Sequence, residues 1–250
     1  MSDPNVVIVT GGAQGIGFGI AECFASRGAN LIIADVILDR ATAAADKLKE
    51  SGAADALGLA CDVADRASVD AMVEASLARF GRIDVLINNA GICPFQHIME
   101  MTPATWRRTI DINLTGGFHC TQAVGRHMIA RGGGGTVVFI TSLADHRTNP
   151  NQVDYCASKA GAMGCMTGFA TALGPHNINC VAVAPGHVST PLTAHWWESE
   201  AGRAKIPEMI PLQRLGQPRD IGEACYYAAT TGRYCNGITI RVDGGNAALG

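Results

Sequence analysis

The stretch Val6-Val7-Ile8-Val9-Thr10-Gly11-Gly12-Ala13-Gln14-Gly15-Ile16-Gly17 decides the fold. Its opening run of β-branched residues predicts a buried strand, and Gly15 to Arg27 behind it predicts a helix. Between the two sits a turn crowded with glycine. Such a turn lets the backbone come close to a pyrophosphate, and the helix start beyond it offers unpaired N–H groups and a dipole that favours negative charge. Glycine spacing alone would suit any tight turn, because 30 of the 250 residues are glycine. The position between strand and helix is what points to a dinucleotide.

The same alternation continues outward along the chain. Apolar runs at Val6 to Val9, Leu31 to Ala34, Leu57 to Ala60, Ile83 to Ile87, Thr136 to Ile140, Asn179 to Val183 and Ile238 to Val242 predict seven strands. Longer stretches at Gly15 to Arg27, Arg40 to Glu50, Ala67 to Arg79, Pro103 to Ala130, Gln152 to Leu173 and Asp220 to Ala229 predict helices. Strands alternating with helices make a parallel sheet, and strands apolar throughout are covered on both faces. The expected architecture is one doubly wound α/β domain over residues 1–250. Residues 185–217 break the rhythm: Pro185, Pro191, Pro207, Pro211 and the pair Trp196-Trp197 read as a long loop or lid over a substrate.

Composition narrows the function classes. With 48% hydrophobic residues, a chain this long buries roughly three quarters of its unfolded surface and needs no disulfide or metal staple. The 19 basic and 22 acidic residues leave a net charge of -3, and the lysines Lys47, Lys49, Lys159 and Lys205 form no basic run. Nucleic acid is not an expected partner. Nine cysteines at irregular spacings, behind the polar opening Met1-Ser2-Asp3-Pro4-Asn5, fit a reducing cytoplasm. Neither CxxC nor HExxH occurs, so no metal site is expected. The longest uncharged stretch, Ala160 to Trp197, is broken by glycine and proline well short of the about 18 successive apolar residues of a membrane span.

Chemistry-bearing residues follow the strand ends. Asp35 closes the second strand, where a carboxylate accepts hydrogen bonds from adenosine ribose hydroxyls and repels a 2′-phosphate. Its other reading is a turn or capping acid, for which Asp39 is the better candidate. Tyr155 and Lys159 stand four apart in a helical stretch and so share one face, although many helices carry such a pair. Ser142, past the end of the strand Thr136 to Ile140, can bring a second hydroxyl to Tyr155. Thr141 competes for that place, but neighbouring strand residues point to opposite faces.

Taken in order, TGGAQGIG at 10–17, Asp62-Val63, Asn88-Asn89-Ala90-Gly91, Asn113, Ser142, Tyr155-Cys156-Ala157-Ser158-Lys159, and Pro185-Gly186 with Val188 and Thr190 resemble the short-chain dehydrogenase/reductase family, classical type, over essentially the whole chain. The resemblance implies a Rossmann-type fold of seven parallel strands and a catalytic tetrad of Asn113, Ser142, Tyr155 and Lys159. It implies a nicotinamide cofactor held by Gly11, Gln14, Gly15, Ile16, Gly17 and Asp35, with Asp62 and Val63 around the adenine and Asn89, Ala90 and Gly91 on the adenosine side. Tyr155 and Lys159 would also meet this cofactor, as would Pro185 and Gly186, with Val188 and Thr190 at the nicotinamide carboxamide. Basic residues that mark NADP users are replaced by Ala13, Gln14 and Val36, which with Asp35 argues for NAD. A homotetramer built through the Tyr155 helix and the last strand is implied as well.

Hydride transfer at a carbinol carbon requires moving a proton at its oxygen, and tyrosine, with a reference pKa of about 10, is a poor base near neutrality. The Lys159 ammonium and an oxidised nicotinamide would favour phenolate. Ser142 would donate to the substrate oxygen, and by resemblance Asn113 would hold a water that passes protons from Lys159 to solvent. The resemblance also implies that the residues just after Ser142 and in the 186–210 loop shape the substrate pocket. Here these include His146, Arg147, His187, His195, Trp196, Trp197, Arg203 and Lys205, which would make it polar and suited to a sugar, polyol or hydroxy acid. The expected reaction interconverts alcohol and carbonyl, or sugar hemiacetal and lactone. A 3-oxoacyl thioester reductase using NADPH, and a catalytically silent dinucleotide sensor or scaffold, remain as alternatives.

Overall fold

A computed structural model describes residues 5–145, 149–191, 193–197 and 199–249. Its strands are β1 (Val6–Thr10), β2 (Asn30–Asp35), β3 (Asp55–Ala60), β4 (Val85–Asn88), β5 (Gly135–Ile140), β6 (Ile178–Pro185) and β7 (Thr239–Val242). They form one sheet in the order β3-β2-β1-β4-β5-β6-β7, and each neighbouring pair is parallel. The helices are α1 (Gly15–Ala25), α2 (Leu38–Glu50), α3 (Arg66–Phe80), α4 (Pro103–Ile110), α5 (Gly116–Arg131), α6 (Val153–Leu173), α7 (Ala194–Trp197), α8 (Glu200–Met209) and α9 (Pro218–Ala229).

Strand alternation sorts β1 between two apolar layers. Val7 and Val9 pack with Ile20, Phe24, Leu48 and Ile221 from α1, α2 and α9. Val6 and Ile8 pack with Val69, Val124 and Met166 from α3, α5 and α6. Each such side chain, fully buried, contributes about 1.5–3 kcal/mol relative to exposure. The central strands are covered on both faces, as uniformly apolar runs require, whereas β3 and β7 at the two edges are only partly covered.

Because β1 is flanked by β2 on one side and β4 on the other, strand order reverses there and opens a crevice at the strands' carboxyl ends. The amino ends are tied down instead. Asp84 accepts from the Val6 amide at 2.9 Å and from Arg82 and Arg131.

Two expectations change in detail. The helix expected over Pro103 to Ala130 is divided by a π-helical turn at Asp111–Thr115, which places one extra residue between α4 and α5 and redirects Asn113. The irregular stretch 185–217 contains α7 and α8, the latter capped by Ser199 Oγ, which accepts from the Gly202 amide at 3.0 Å. Pro207 is tolerated in its last turn, where it forfeits one backbone bond. A parallel bridge between Val188 and Gly216 ties both ends of this stretch together.

Candidate active site

A cleft of about 800 Å³ lies in the crevice at the carboxyl edge of β1 and β4. Its floor begins with the glycine turn. Gly11 and Gly15 have φ of +60° and +57°, a region that disfavours any side chain. A Cβ at Gly17 would come within 2.3 Å of the Gly11 carbonyl oxygen, so only glycine lets α1 start this close to the turn. The turn is latched to β4: Asn89 Nδ2 donates to the Thr10 and Gly11 carbonyls at 2.9 and 3.0 Å, and Thr10 Oγ1 accepts from the Asn89 and Ala90 amides. The start of α1 has neither a capping side chain nor an acid in its first turn. Its unpaired N–H groups therefore suit an anion, and the residues present fit a dinucleotide pyrophosphate.

All the expected cofactor residues line this cleft: Gly11, Gln14, Gly15, Ile16 and Gly17 from the turn, Asp35 from β2, Asp62 and Val63 after β3. Asn89, Ala90 and Gly91 follow β4, and Pro185, Gly186, Val188 and Thr190 follow β6. Asp35 lines the cleft, and its Oδ1 accepts from the Ile37 amide at 3.2 Å as a turn acid does.

Ser142, Tyr155 and Lys159 reach the cleft from β5 and α6. Lys159 is buried; its Nζ donates to the Ile140 carbonyl at 2.8 Å and lies 5.6 Å from the Tyr155 ring centre. Burial pushes the Lys159 ammonium down to about 8. Ser142 Oγ accepts from the Ala144 amide at 3.1 Å and has no acceptor for its proton among the described residues. Thr141 also borders the cleft, but its hydroxyl is turned to the Val183 carbonyl at 3.3 Å. Asn113 lies behind the cleft wall. Its Nδ2 donates to the Ile92 carbonyl at 2.8 Å and to Ser158 Oγ at 3.0 Å, and its Oδ1 accepts from the Ile92 amide at 2.8 Å. With Lys159 it borders an internal cavity of about 10 Å³.

Among the described residues, the expected polar pocket is not assembled at the cleft. His187 packs edge-on against Trp197 with ring centres 5.1 Å apart, Arg203 and Lys205 project from exposed positions on α8, and none of these four lines the cleft. His146 and Arg147 lie outside the described residues, as do the side chains of His195 and Trp196.

The cleft wall holds residues that sequence reasoning missed. Arg40 from α2 borders the end that carries Asp35, and Arg107, Arg108 and Asp111 come from the end of α4 and the π-turn. Helical periodicity placed these residues on helices without saying which helix face meets β1. Cys93 also borders the cleft and accepts from Gln152 Nε2 at 3.0 Å. Burial pushes its thiol up to about 11, so it is no thiolate nucleophile near neutrality.

Fold and cleft define the class: a doubly wound α/β protein with a dinucleotide-sized site at its topological switch point. Residues 11–247 match the family model described as enoyl-(acyl carrier protein) reductase. An L-rhamnose 1-dehydrogenase (NAD(P)(+)) of Azotobacter vinelandii is 36% identical over 245 residues, covering 96% of each chain. A galactitol 2-dehydrogenase of Agrobacterium fabrum is 39% identical over 255 residues, covering 97% of each. The solved structure of a short-chain type dehydrogenase/reductase from Mycobacterium marinum superposes with a TM-score of 0.89 at 33% identity, over 97% of this chain and 95% of that one. The chain belongs to the short-chain dehydrogenase/reductase family. It is an oxidoreductase of alcohol and carbonyl groups.

Proposed function

We propose that this chain is an NAD-dependent dehydrogenase that interconverts an alcohol and a carbonyl, or a sugar hemiacetal and its lactone. Its substrate is small and polar: a sugar, polyol or hydroxy acid. The observation that carries the reading is the buried Lys159 ammonium beside the Tyr155 ring at the floor of the glycine-lined cleft. Likeness to a rhamnose and a galactitol dehydrogenase supports the substrate class.

The nicotinamide, when bound, supplies the acceptor or donor for hydride. Tyr155 takes the hydroxyl proton during oxidation and returns it during reduction. Lys159 stabilises the phenolate by its charge and offers its remaining N–H groups to ribose hydroxyls. Ser142 donates its free hydroxyl proton to the substrate oxygen where negative charge develops. Asn113, its amide committed to Ile92 and Ser158, borders with Lys159 the small cavity in which it would hold a water that passes protons from Lys159 to solvent. Asp35 binds the adenosine ribose, and NAD is the cofactor on that ground. Residues 1–250 act as one catalytic domain, in a reducing cytoplasm that keeps the nine cysteines free.

A homotetramer is the proposed assembly. Gly164 and Gly168 leave open space along α6 beside exposed Phe118, and β7 is an edge strand near fully exposed Tyr234 and half-exposed Ile238. Solution mass measurement tests it.

The second reading, a 3-oxoacyl thioester reductase using NADPH, is supported by likeness to a 3-oxoacyl-[acyl-carrier-protein] reductase of Synechocystis sp., 35% identical over 245 residues. Both are separated by one panel: L-rhamnose, galactitol and hydroxy acids with NAD or NADP, against a 3-oxoacyl thioester with NADH or NADPH. Oxidation of a sugar, polyol or hydroxy acid with NAD outpaces thioester reduction at least about tenfold if the proposal holds, a difference of about 1.4 kcal/mol in barrier. Faster thioester reduction with NADPH overturns it.

A further inference from the structure

Asp154 immediately precedes Tyr155, and none of its surface reaches solvent. An enclosed carboxylate ordinarily collects several hydrogen bonds. Asp154 has one: Thr109, equally enclosed, donates its hydroxyl to Oδ2 at 2.6 Å, while Oδ1 finds no partner among the described residues. An acid in the first turn of α6 suits the helix dipole, but an exposed one would suit it as well and would keep its water. Neither fold stability nor the dipole accounts for burying it here.

Thr109 Oγ1 also lies 3.1 Å from the Thr105 carbonyl within α4, and its one proton favours the shorter contact to Asp154. Thr109 sits two residues before the π-helical turn Asp111–Thr115, which interrupts the regular helical bonding of α4 and α5. The first turn of α6 has no capping side chain, because Gln152 makes no cap bond. The segments meet again one turn further on, where Asn113 Nδ2 donates to Ser158 Oγ at 3.0 Å and Ser158 Oγ donates to the Tyr155 carbonyl at 2.7 Å. Contact between them is close throughout: a Cβ at Gly161 would lie 2.8 Å from Leu114. Tyr155 is thus bracketed by two rungs between the same pair of segments, Thr109–Asp154 before it and Asn113–Ser158 after it.

We propose that Thr109 and Asp154 are positioning residues, a buried clamp that holds the Tyr155 turn of α6 and the Asn113 turn in one frame. The inference rests on the reading of Tyr155 as the proton-transfer group. Misplacing a reacting group by about 1 Å costs up to about a hundredfold in rate, so loss of one of two rungs is felt in turnover before it is felt in cofactor binding.

The test uses the full chain with Thr109→Val, which keeps the shape and removes the hydroxyl, Thr109→Ser, which keeps the hydroxyl, and Asp154→Asn. The assay is NAD reduction with L-rhamnose or galactitol, whichever the parent oxidises faster. Thr109→Val is expected to lower kcat about tenfold with KM for NAD within about twofold, and Thr109→Ser to recover most of that loss. Thr109→Val combined with Asp154→Asn is expected to be no worse than the poorer single variant, the signature of a shared interaction. An unchanged kcat, a parallel loss of NAD affinity, failure of serine to rescue, or additive losses overturns the clamp. If the parent oxidises neither compound, the substrate reading fails separately, and amide hydrogen exchange decides the clamp. Faster exchange in 109–115 and 153–159 together, in Thr109→Val but not in Thr109→Ser, supports it; exchange altered in only one segment, or in neither, overturns it.

Discussion

Lys159 Nζ donates to the Ile140 carbonyl at 2.8 Å and stands 5.6 Å from the centre of the Tyr155 ring, with no more than 5% of the residue exposed. The first contact ties α6 to the end of β5, and the second sets a cation against the phenol. A buried cation with one protein acceptor among the described residues is costly for the fold alone, which is why its position beside Tyr155 supports the proposed role.

Replacing Lys159 with Met separates these roles. Burial lowers the lysine from 10.5 to about 8, so at pH 7 the folded protein carries a charge whose burial costs on the order of 3 kcal/mol at most. Between those two values the unfolded chain holds a proton that the folded one has released, and the parent gains stability as pH rises. In melts of the cofactor-free protein, Lys159→Met should match or exceed the parent Tm at pH 7, with the difference shrinking toward pH 10. A gap that widens with pH contradicts this. Turnover should be lost at both values.

Tyr155→Phe removes only a hydroxyl. Turnover should fall by about a thousandfold or more, with NAD binding by fluorescence titration unchanged. Ser142→Ala should cost about a hundredfold through loss of one donor to the reacting oxygen. Undiminished turnover in Tyr155→Phe would remove the proposed proton-transfer role.

Asp35 and Arg40 both line the cleft, and under the proposed function they select the cofactor. Asp35→Ser relieves repulsion of a 2′-phosphate and leaves the guanidinium in place, so the ratio of kcat/KM for NADP over NAD should rise at least about tenfold. Arg40→Ala added to it should reverse much of the gain. No change of ratio in Asp35→Ser would mean that this carboxylate does not select the cofactor.

Asp84 governs acid stability. Burial alone would raise its carboxyl, but bonds from Arg82, the Val6 amide and Arg131 outweigh that and hold it below the usual range. Its contribution is therefore present above the unfolded value near 3.8 and is lost as pH falls through the lower folded value. Asp84→Asn should destabilise by about 2–3 kcal/mol at pH 7 in urea titrations, and the difference should shrink below pH 4. A difference independent of pH would dissociate the effect from the charge.

Local signals carried much of the outcome. The glycine turn was readable because positive φ at Gly11 and Gly15 and the tight approach at Gly17 are demands that single residues meet or fail. Seven strands were readable from β-branched runs, and helix spacing placed Tyr155 and Lys159 on one face. The π-turn at Asp111–Thr115 left no trace in an apolar pattern averaged over 28 residues, Pro103 to Ala130. Neither could periodicity say that Asn113 spends its amide on Ile92, nor that His187 packs on Trp197 outside the cleft.

The seven strands, the glycine turn and the shared helix face of Tyr155 and Lys159 were thus written into the chain, since each follows from backbone preferences and side-chain periods that act over a few residues. The tetrad, by contrast, rests on family resemblance, and the strand order came from the structure. The tertiary structure alone decided that Arg40, Arg107 and Arg108 border the cleft and that Thr109 meets Asp154 across 45 positions. Those meetings depend on how far each helix turns and slides as it packs on the sheet. That quantity is set by the volumes of many buried side chains at once, and no short stretch of sequence contains it.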